Sequence, residues 1–389
     1  MKVSNVMFSL LRYVINGEEV SEELKNSINP ELLSGLYKLS KMHDLSHLVC
    51  VALDDNGLLD NNKEMAALFR QQRTMAVYRF EQISYEAQNV SILLNQEKIP
   101  HIPLKGMIIR KFYPEPWMRT SCDIDILVPE KYVDTAANLL TEKLKYKYKG
   151  KGSHDVQLYS EGGVHLELHY ELIEESFLPE TEKLLSKIWE MVTPSETNSY
   201  KYVMPDDIFY FYHVAHMAKH FIVGGCGIRP ILDLWVMDTK WDYDKAQCDN
   251  TLTQAKMLSF ANVIRALSKV WFENAEHTQQ TKEIAEYILT GGVYGNVQNR
   301  VAVEQIKKGG KARYLVGRIF MPYRALKIQF PVLEKHKWLY PFCLVRRWGR
   351  LIFCRGRAKQ SLNELNASTA ITEEQNEKFK GLLTNLELL

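Results

Sequence analysis

The sequence predicts an α+β protein in which a small mixed β-sheet core is flanked by N-terminal and C-terminal helical regions. Apolar residues recur at helical spacing before residue 98 and again after residue 178, whereas the segment between them contains short strand-like runs separated by turns. We therefore divide the chain into an N-terminal helical region at 1–97, a β-sheet core at 98–178 and a C-terminal helical region with a basic tail at 179–389.

The N-terminal region is predicted to be helical. Asn29 and Pro30 mark a helix start, and residues 54–57 have the composition of a loop. Between residues 62 and 95 there is no Pro or Gly, and the apolar side chains keep a helical period. This stretch should form one long helix that covers whatever follows it.

The central segment has a strand pattern. Its predicted elements are a short strand at 98–104, a short helix at 107–112, a strand at 123–128, a helix at 132–144 and strand-like runs at 146–148, 156–159 and 164–170. A strand–helix–strand start followed by a meander indicates a compact mixed sheet with helices on one face.

The chain becomes helical again after residue 178. The predicted helices lie at 208–221, 230–237, 243–249 and 255–272, and the first of them begins after Pro205 and ends at the glycines of 223–227. Two basic stretches rich in aromatic residues follow at 307–327 and 335–357.

Overall composition excludes few functions. The 49 Lys and Arg nearly balance 47 Asp and Glu, so the net charge of +2 indicates no particular partner. The six cysteines lack CxxC or Cys/His finger spacing, which is typical of reduced thiols in a cytoplasmic protein. We find no signal-peptide cleavage pattern and no apolar run long enough to span a bilayer, so we expect a cytoplasmic location.

The clearest chemical signal is a pair of aspartates. Asp123 and Asp125 would project from one face of the strand 123–128 while Ile124 and Ile126 enter the core, because side chains alternate along a strand. Two carboxylates on one face repel each other and are costly to desolvate unless a cation lies between them. Mg²⁺ is normally held by one or two carboxylates and by substrate phosphates. The pair predicts a Mg²⁺ (or Mn²⁺) site, although Asp-x-Asp alone also occurs in exposed turns.

A third carboxylate is expected on a neighbouring strand, and Glu167 is the candidate. The alternation of 164–170 places His165, Glu167 and His169 on one face. Glu167 would complete the metal site or act as a base towards an attacking hydroxyl. The alternative, strongest for the two histidines, is that this face points to solvent at a sheet edge.

Charged groups for a substrate phosphate surround the aspartate pair in sequence. Gly106, at a helix start, would let backbone N–H groups approach a phosphate, and Lys105 and Arg119 would neutralise it. Farther along, Arg229 and Asp233 are expected to pair with each other across a cleft.

The helix 208–221 carries a second polar cluster. His213, His216 and His220 share one helical face. We expect His216, Lys219 and His220 to reach phosphates or the acceptor. Two alternatives stay open: Zn²⁺ binding by these histidines, which no HExxH pattern supports, and a buried structural network.

The order LKG, then Arg119, then DIDILV, then HLELH resembles the nucleotidyltransferase superfamily with the DNA polymerase β-type fold. More narrowly, it resembles the bacterial group of nucleotidyltransferase family proteins that share a KG…R…DIDLLV core. The resemblance implies that Asp123 and Asp125 hold Mg²⁺, that Glu167 occupies the third acidic position and that Gly106 lies at the nucleotide phosphates.

One departure from the superfamily concerns the phosphates. The superfamily commonly has Gly-Ser or Gly-Gly after the first strand, whereas this chain has Lys105 and Gly106. The resemblance therefore implies that the triphosphate would be held mainly by Lys105 and Arg119, and it does not identify the donor nucleotide.

Three functions are compatible with the sequence. The first is an enzyme that transfers a nucleoside monophosphate from an NTP to a hydroxyl-bearing acceptor, which could be a small molecule, a protein or RNA. The second is an Asp-x-Asp glycosyltransferase that uses a sugar nucleotide, but such enzymes usually begin with a Rossmann-like sheet rather than with helices. The third is a catalytically inactive nucleotidyltransferase-like binding module. The basic C-terminal stretch suggests weak contact with RNA or a membrane surface, and a solvated helix face is the alternative.

Overall fold

A computed structural model describes residues 2–173, 178–197, 199–293, 295–353 and 355–389. The side chains at 324, 328, 351–353, 355–358, 360 and 361 lie outside this description, as does Cys354. The predicted basic stretches are therefore described without the side chains of Arg324, Arg355 and Arg357.

The strands are β1 (Ile102–Pro103), β2 (Asp123–Leu127), β3 (Lys147–Lys151), β4 (Asp155–Tyr159), β5 (His165–His169), β6 (Thr193–Pro194) and β7 (Tyr202–Val203). The helices are α1 (Val3–Asn16), α2 (Glu22–Ser27), α3 (Pro30–Met42), α4 (Ser46–Asp55), α5 (Lys63–Gln96), α6 (Gly106–Ile109), α7 (Glu130–Lys143), α8 (Pro179–Leu185), α9 (Ile188–Met191), α10 (Asp206–Val223), α11 (Arg229–Lys240), α12 (Lys245–Gln254), α13 (Leu258–Phe272), α14 (Gln279–Gly291), α15 (Val297–Lys307), α16 (Lys311–Ile319), α17 (Tyr323–Gln329), α18 (Tyr340–Phe353), α19 (Arg355–Ala370) and α20 (Glu373–Asn385). The predicted α+β class, a small mixed sheet with helices on both sides in sequence, is confirmed.

The main sheet has the strand order β1-β2-β5-β4-β3 among the residues that the structure describes. β2 and β5 are parallel, and the other neighbours are antiparallel. The chain from β2 through α7, β3 and β4 to β5 supplies the long crossover connection that two parallel neighbours need, and the other pairs run antiparallel, so the sheet is mixed. β2, which carries the aspartate pair, therefore lies between β1 and β5.

One face of the sheet forms the core. Ile124 and Ile126 of β2 and Leu166 of β5 are buried in a single cluster with side chains of α5 and α7, among them Val90 and Leu140. Each such aliphatic side chain contributes about 1.5–3 kcal/mol by its burial. Because the apolar side chains of β2 and β5 are fixed on the α5 and α7 side, the polar side chains between them are held on the opposite face.

The predicted long helix is α5, and the Asn62 side chain caps it by accepting a hydrogen bond from the Met65 N–H at 3.1 Å. The short elements differ more from expectation. The strand predicted at 98–104 is reduced to β1, and the extended segment that contains it is bounded by Lys98 and Lys105, which both adopt positive φ (57° and 49°). The helix predicted at 255–272 begins only at Leu258, since positive φ at residue 256 interrupts the helical path.

The chain divides into two compact units. The first comprises Met1–Lys219 and Gly227–Ala285 and contains the sheet, and the second comprises His220–Cys226 and Glu286–Leu389. Within the part of the chain that the structure describes, every helix is too short or too polar to cross a bilayer.

Candidate active site

The polar face of the sheet brings together the side chains singled out in two separate strands. The parallel register of β2 and β5 places Asp123 opposite His165 and Asp125 opposite Glu167. Because side chains alternate along each strand, His169 lies on this same face. The two strands thus form one cluster of three carboxylates and two imidazoles, although Asp125 and His169 are 44 positions apart in the sequence.

Asp125 is the centre of this cluster. Its side chain is buried, and its Oδ1 accepts hydrogen bonds from Lys105 Nζ at 2.8 Å and His169 Nε2 at 2.9 Å. Burial alone would raise the pKa of the Asp125 carboxyl, but the Lys105 ammonium and the His169 hydrogen bond outweigh it and hold that pKa well below its usual range. Asp125 is therefore ionised at neutral pH.

The pKa values of the two other carboxylates, Asp123 and Glu167, are shifted in opposite directions. Burial and the negative charge of Asp125 raise the pKa of Asp123 to about 6, although Lys105 opposes the shift. A hydrogen bond from His169, whose Nε2 lies 3.4 Å from the Glu167 Oε2, lowers the pKa of Glu167. Burial and the neighbouring negative charges thus make ionisation hardest for Asp123 among the three carboxylates.

Each of the two histidines presents one ring nitrogen to the cluster: His169 Nε2 lies 2.9 Å from Asp125 Oδ1, and His165 Nδ1 lies 3.9 Å from Glu167 Oε1. The other nitrogens, His169 Nδ1 and His165 Nε2, are buried without a hydrogen-bond partner among the described residues. Burial by itself would lower the pKa of His169, but its hydrogen bonds to Asp125 and Glu167 raise it overall.

These side chains form two overlapping donor sets. One consists of Asp123, His165 and Glu167, and the other of Asp125, Glu167 and His169, and in each set the candidate ligand atoms lie within 4.8 Å of one another. Carboxylate oxygens suit Mg²⁺ and Mn²⁺, and imidazole nitrogens add affinity for transition-metal ions. The donors present therefore fit a divalent cation.

Lys105 reaches Asp125 from a strained backbone. It has φ 49° and ψ −122°, a conformation that costs a residue with a side chain about 1–3 kcal/mol. The hydrogen bond from the Leu104 N–H to the Asp125 carbonyl, 3.0 Å long, fastens this bend to β2. The strain is thus maintained by the same strand that carries its ion-pair partner.

Gly106 is required at its position by packing. A Cβ at residue 106 would lie 2.3 Å from Ser121 Oγ and 2.8 Å from Arg119 Nη1. The glycine permits the close approach of α6 to the segment before β2. The phosphate-binding role expected for Gly106 stays a prediction, and α6 has only four residues.

Arg119, which is expected from the sequence to neutralise a phosphate, forms an ion pair with Asp233. Its Nε and Nη2 donate to both carboxylate oxygens of Asp233 at 2.7–3.0 Å, and Tyr113 donates to the same carboxylate at 2.7 Å. Its remaining nitrogen, Nη1, donates to the Thr120 carbonyl at 2.6 Å. Since Arg119 and Asp233 are both buried, this guanidinium is committed to holding α11 against the segment before β2.

The predicted pairing of Arg229 with Asp233 is wrong. Arg229 Nη1 instead donates to Asp44 Oδ2 at 2.7 Å and to the Thr120 carbonyl at 3.1 Å. The two residues are close in sequence on α11, but Asp233 is already saturated by Arg119 and Tyr113. Asp44 and Tyr113 were missed by sequence reasoning because their partners are distant in the chain.

The structure gives His213 of α10 a structural role and leaves the roles of His216 and His220 open. His213 Nε2 is 2.8 Å from the Pro230 carbonyl oxygen, and burial lowers the pKa of His213, so this residue is a neutral structural histidine. His216 follows one turn after Tyr212, and their ring centroids are 6.0 Å apart. The phosphate or acceptor contacts expected of His216, Lys219 and His220 stay predictions.

Tyr212 was not singled out from the sequence. Its phenol is buried; burial and the charges of Asp125 and Glu167 raise its pKa, although Lys105 opposes this. Tyr212 thus lies within electrostatic range of the cluster. Helical spacing offered a signal, since Tyr212 is four residues before His216.

Comparison with known families adds an independent result. A family model described as uncharacterised nucleotidyltransferase matches residues 30–273, which include the sheet, α10 and α11. No curated protein and no solved structure matches the chain. Because the matched region spans more than half of the chain and contains the whole acidic cluster, this protein belongs to the uncharacterised nucleotidyltransferase family.

Proposed function

We propose that the protein transfers a nucleoside monophosphate from an NTP to a hydroxyl-bearing acceptor and releases pyrophosphate. The observation that carries this proposal is the position of Asp123 and Asp125 on one face of β2, directly beside Glu167 of the parallel strand β5. Acidic side chains on adjacent strands are suited to hold the metal ions that assist phosphoryl transfer. Family membership supports the general activity, and the direction of transfer and the acceptor belong to the proposal.

Asp123, Asp125 and Glu167 would hold the divalent ion, Mg²⁺ or Mn²⁺. When bound, such an ion supplies positive charge that stabilises the charge developing on the α-phosphate and the leaving pyrophosphate. The chain's own contribution is to orient the three carboxylates and to favour the deprotonated form of Asp125 and Glu167. The hydrogen bonds that Asp125 accepts from Lys105 and His169 do this for the most buried member of the set.

Of the two cations expected to bind phosphate, Lys105 and Arg119, we propose this role for Lys105. Its side chain is partly exposed, whereas that of Arg119 is enclosed by Asp233. An ammonium with three donors is able to keep its bond to Asp125 and to donate to a phosphate oxygen as well. Glu167, also partly exposed, is positioned to complete the metal site or to accept the proton of the attacking hydroxyl.

The test is calorimetric binding of ATP, GTP, CTP and UTP in the presence and absence of Mg²⁺. We expect metal-dependent binding of at least one NTP by the wild type and its loss in Asp123→Asn/Asp125→Asn. Asp134→Asn is the matched control, because Asp134 is an exposed carboxylate of α7 that pairs with Lys151. Absence of NTP binding by folded wild-type protein would instead favour the inactive binding module.

A further inference from the structure

The second unit carries an exposed apolar face on α18 and the turn before it. Trp338, Phe342 and Val345 are 69%, 65% and 61% exposed. Phe342 and Val345 are three residues apart on one side of α18, and Trp338 lies in the turn just before the helix. The rings of Trp338 and Phe342 meet edge to face with centroids 6.3 Å apart, so the two aromatics form a single ridge.

α18 is held in the unit by the side of the helix opposite this ridge. Cys343 and Leu344 are buried against Leu326, Phe330 and Leu333 in a cluster of their own. The helix is thus anchored by one apolar side while it presents another to solvent. The exposed ridge side chains contribute little to the packing of the unit. An exposed apolar patch of this kind is typical of a surface that binds a partner.

The exposed apolar area continues onto the end of α16. Ile319 and Phe320 are 50% and 56% exposed. They contact Trp348, which lies three residues after Val345 on α18: its Nε1 donates to the Ile319 carbonyl at 3.0 Å and its ring lies edge-on to Phe320 at 6.2 Å. We call these residues together with Trp338, Phe342 and Val345 the α18 surface.

The segment that contains the α18 surface is rich in basic residues. Residues 297–350 contain thirteen Lys and Arg but only two Glu, whereas the whole chain is nearly balanced, and several of these cations form ion pairs within the unit. Lys335 and Lys337 are exposed just before α18, and Arg346 is exposed beside Val345. An apolar ridge with Trp and Phe, bordered by cations, has the composition of helices that lie in the interface of a membrane.

We propose that the α18 surface docks on an anionic lipid bilayer, with α18 lying in the plane of the membrane. Trp338, Phe342 and Val345 would enter the headgroup region, and the bordering lysines and arginines would face lipid phosphates. Charge complementarity selects this occupant, because each cation near an anionic leaflet strengthens the attachment. Single-stranded RNA fits less well, since aliphatic side chains such as Val345 offer no surface for base stacking. This inference does not depend on the proposed transferase activity.

The test is co-sedimentation of the full chain with vesicles of phosphatidylcholine and phosphatidylglycerol in about a two-to-one ratio, compared with phosphatidylcholine alone. We expect binding to the anionic vesicles that weakens as salt is raised. Trp338→Ser/Phe342→Ser should reduce the affinity about tenfold or more, because two aromatic side chains no longer leave water. Lys335→Glu/Lys337→Glu should also weaken binding and reduce its dependence on salt.

Tyr85→Ser is the matched control, because Tyr85 is 67% exposed on α5 of the other unit. It should bind vesicles as the wild type does. All substituted side chains are exposed, so thermal unfolding should be nearly unchanged and loss of binding is not attributable to unfolding. The inference is overturned if the wild type binds neither vesicle, if Trp338→Ser/Phe342→Ser binds as well as the wild type, or if a single-stranded RNA oligonucleotide binds to this surface while vesicles do not.

Discussion

Asp125 on β2 and Asp233 on α11 are both buried aspartates paired with a cation, yet their surroundings differ. Asp233 is fully buried, and both of its oxygens are occupied by a bidentate guanidinium and a tyrosine hydroxyl. Asp125 meets Lys105 and His169 through one oxygen, beside further carboxylates. A saturated buried pair holds structure together, whereas an incompletely satisfied anionic cluster is suited to bind and release a cation. We therefore assign a structural role to the Asp233 network and propose the catalytic role for the Asp125 cluster.

The largest expected effect comes from Asp125→Asn. Removing this charge should lower nucleotidyl transfer on the order of 10³-fold or more, equivalent to about 4 kcal/mol of barrier. The measurement is pyrophosphate release from the NTP identified by calorimetry, with thermal unfolding as a check of the fold. A folded Asp125→Asn protein with full activity would show that Asp125 is not catalytic. Asp125 and Asp233 would then no longer differ in function.

Asp233→Asn should act on stability instead. We expect the free energy of unfolding to fall by about 3–5 kcal/mol, because the buried Arg119 guanidinium loses its counter-charge. Urea unfolding measures this, and metal-dependent NTP binding by the remaining folded protein should be retained. Arg119→Met/Asp233→Leu is the matched control and should recover part of the loss, since it leaves no unpaired buried charge. Loss of NTP binding at unchanged stability would contradict the structural role.

The raised pKa of Asp123 predicts a pH effect in the metal-free protein. The folded protein holds this proton up to a pKa of about 6, whereas an unfolded chain releases it near 3.9. Stability contributed by the protonated carboxyl is therefore present below about pH 4 and is lost as the pH rises to about 6. Asp123→Asn should be more stable than the wild type by about 2 kcal/mol at pH 7 and similar to it at pH 4.

Urea unfolding of both proteins between pH 4 and pH 7 tests this difference, and added Mg²⁺ should reduce it at pH 7 by binding the wild-type carboxylates. An equal stability of the two proteins at every pH would mean that Asp123 is not crowded by its neighbours.

The smallest expected effect distinguishes the histidines from the carboxylates. We expect His169 to supply a nitrogen ligand, so His169→Gln should weaken Mn²⁺ binding about tenfold and Mg²⁺ binding less, because imidazole favours transition-metal ions. Calorimetry with each ion measures this. His154→Gln is the control, as the ring of His154 lies 5.7 Å from that of His169 but outside both donor sets. Equal losses for both ions would limit His169 to a hydrogen-bonding role.

The sequence by itself determined the local features of the site. Alternation in DIDIL and HLELH is sufficient to assign Asp123, Asp125, Glu167 and the two histidines to polar strand faces, and helical periodicity is sufficient to predict α5. These features depend on geometry that repeats every two or four residues, so neighbouring residues encode them.

Only the tertiary structure decided which charged groups meet. Arg119 reaches Asp233 across 114 positions and Arg229 reaches Asp44 across 185, whereas the sequence suggested the nearby pair on α11. The strained Lys105 backbone and the packing of Gly106 against Ser121 are likewise set by contacts with other segments. Charge pairs have no sequence period, and their partners are selected by the packing of whole elements, which is why the residue types of the site could be predicted and several of their partners could not.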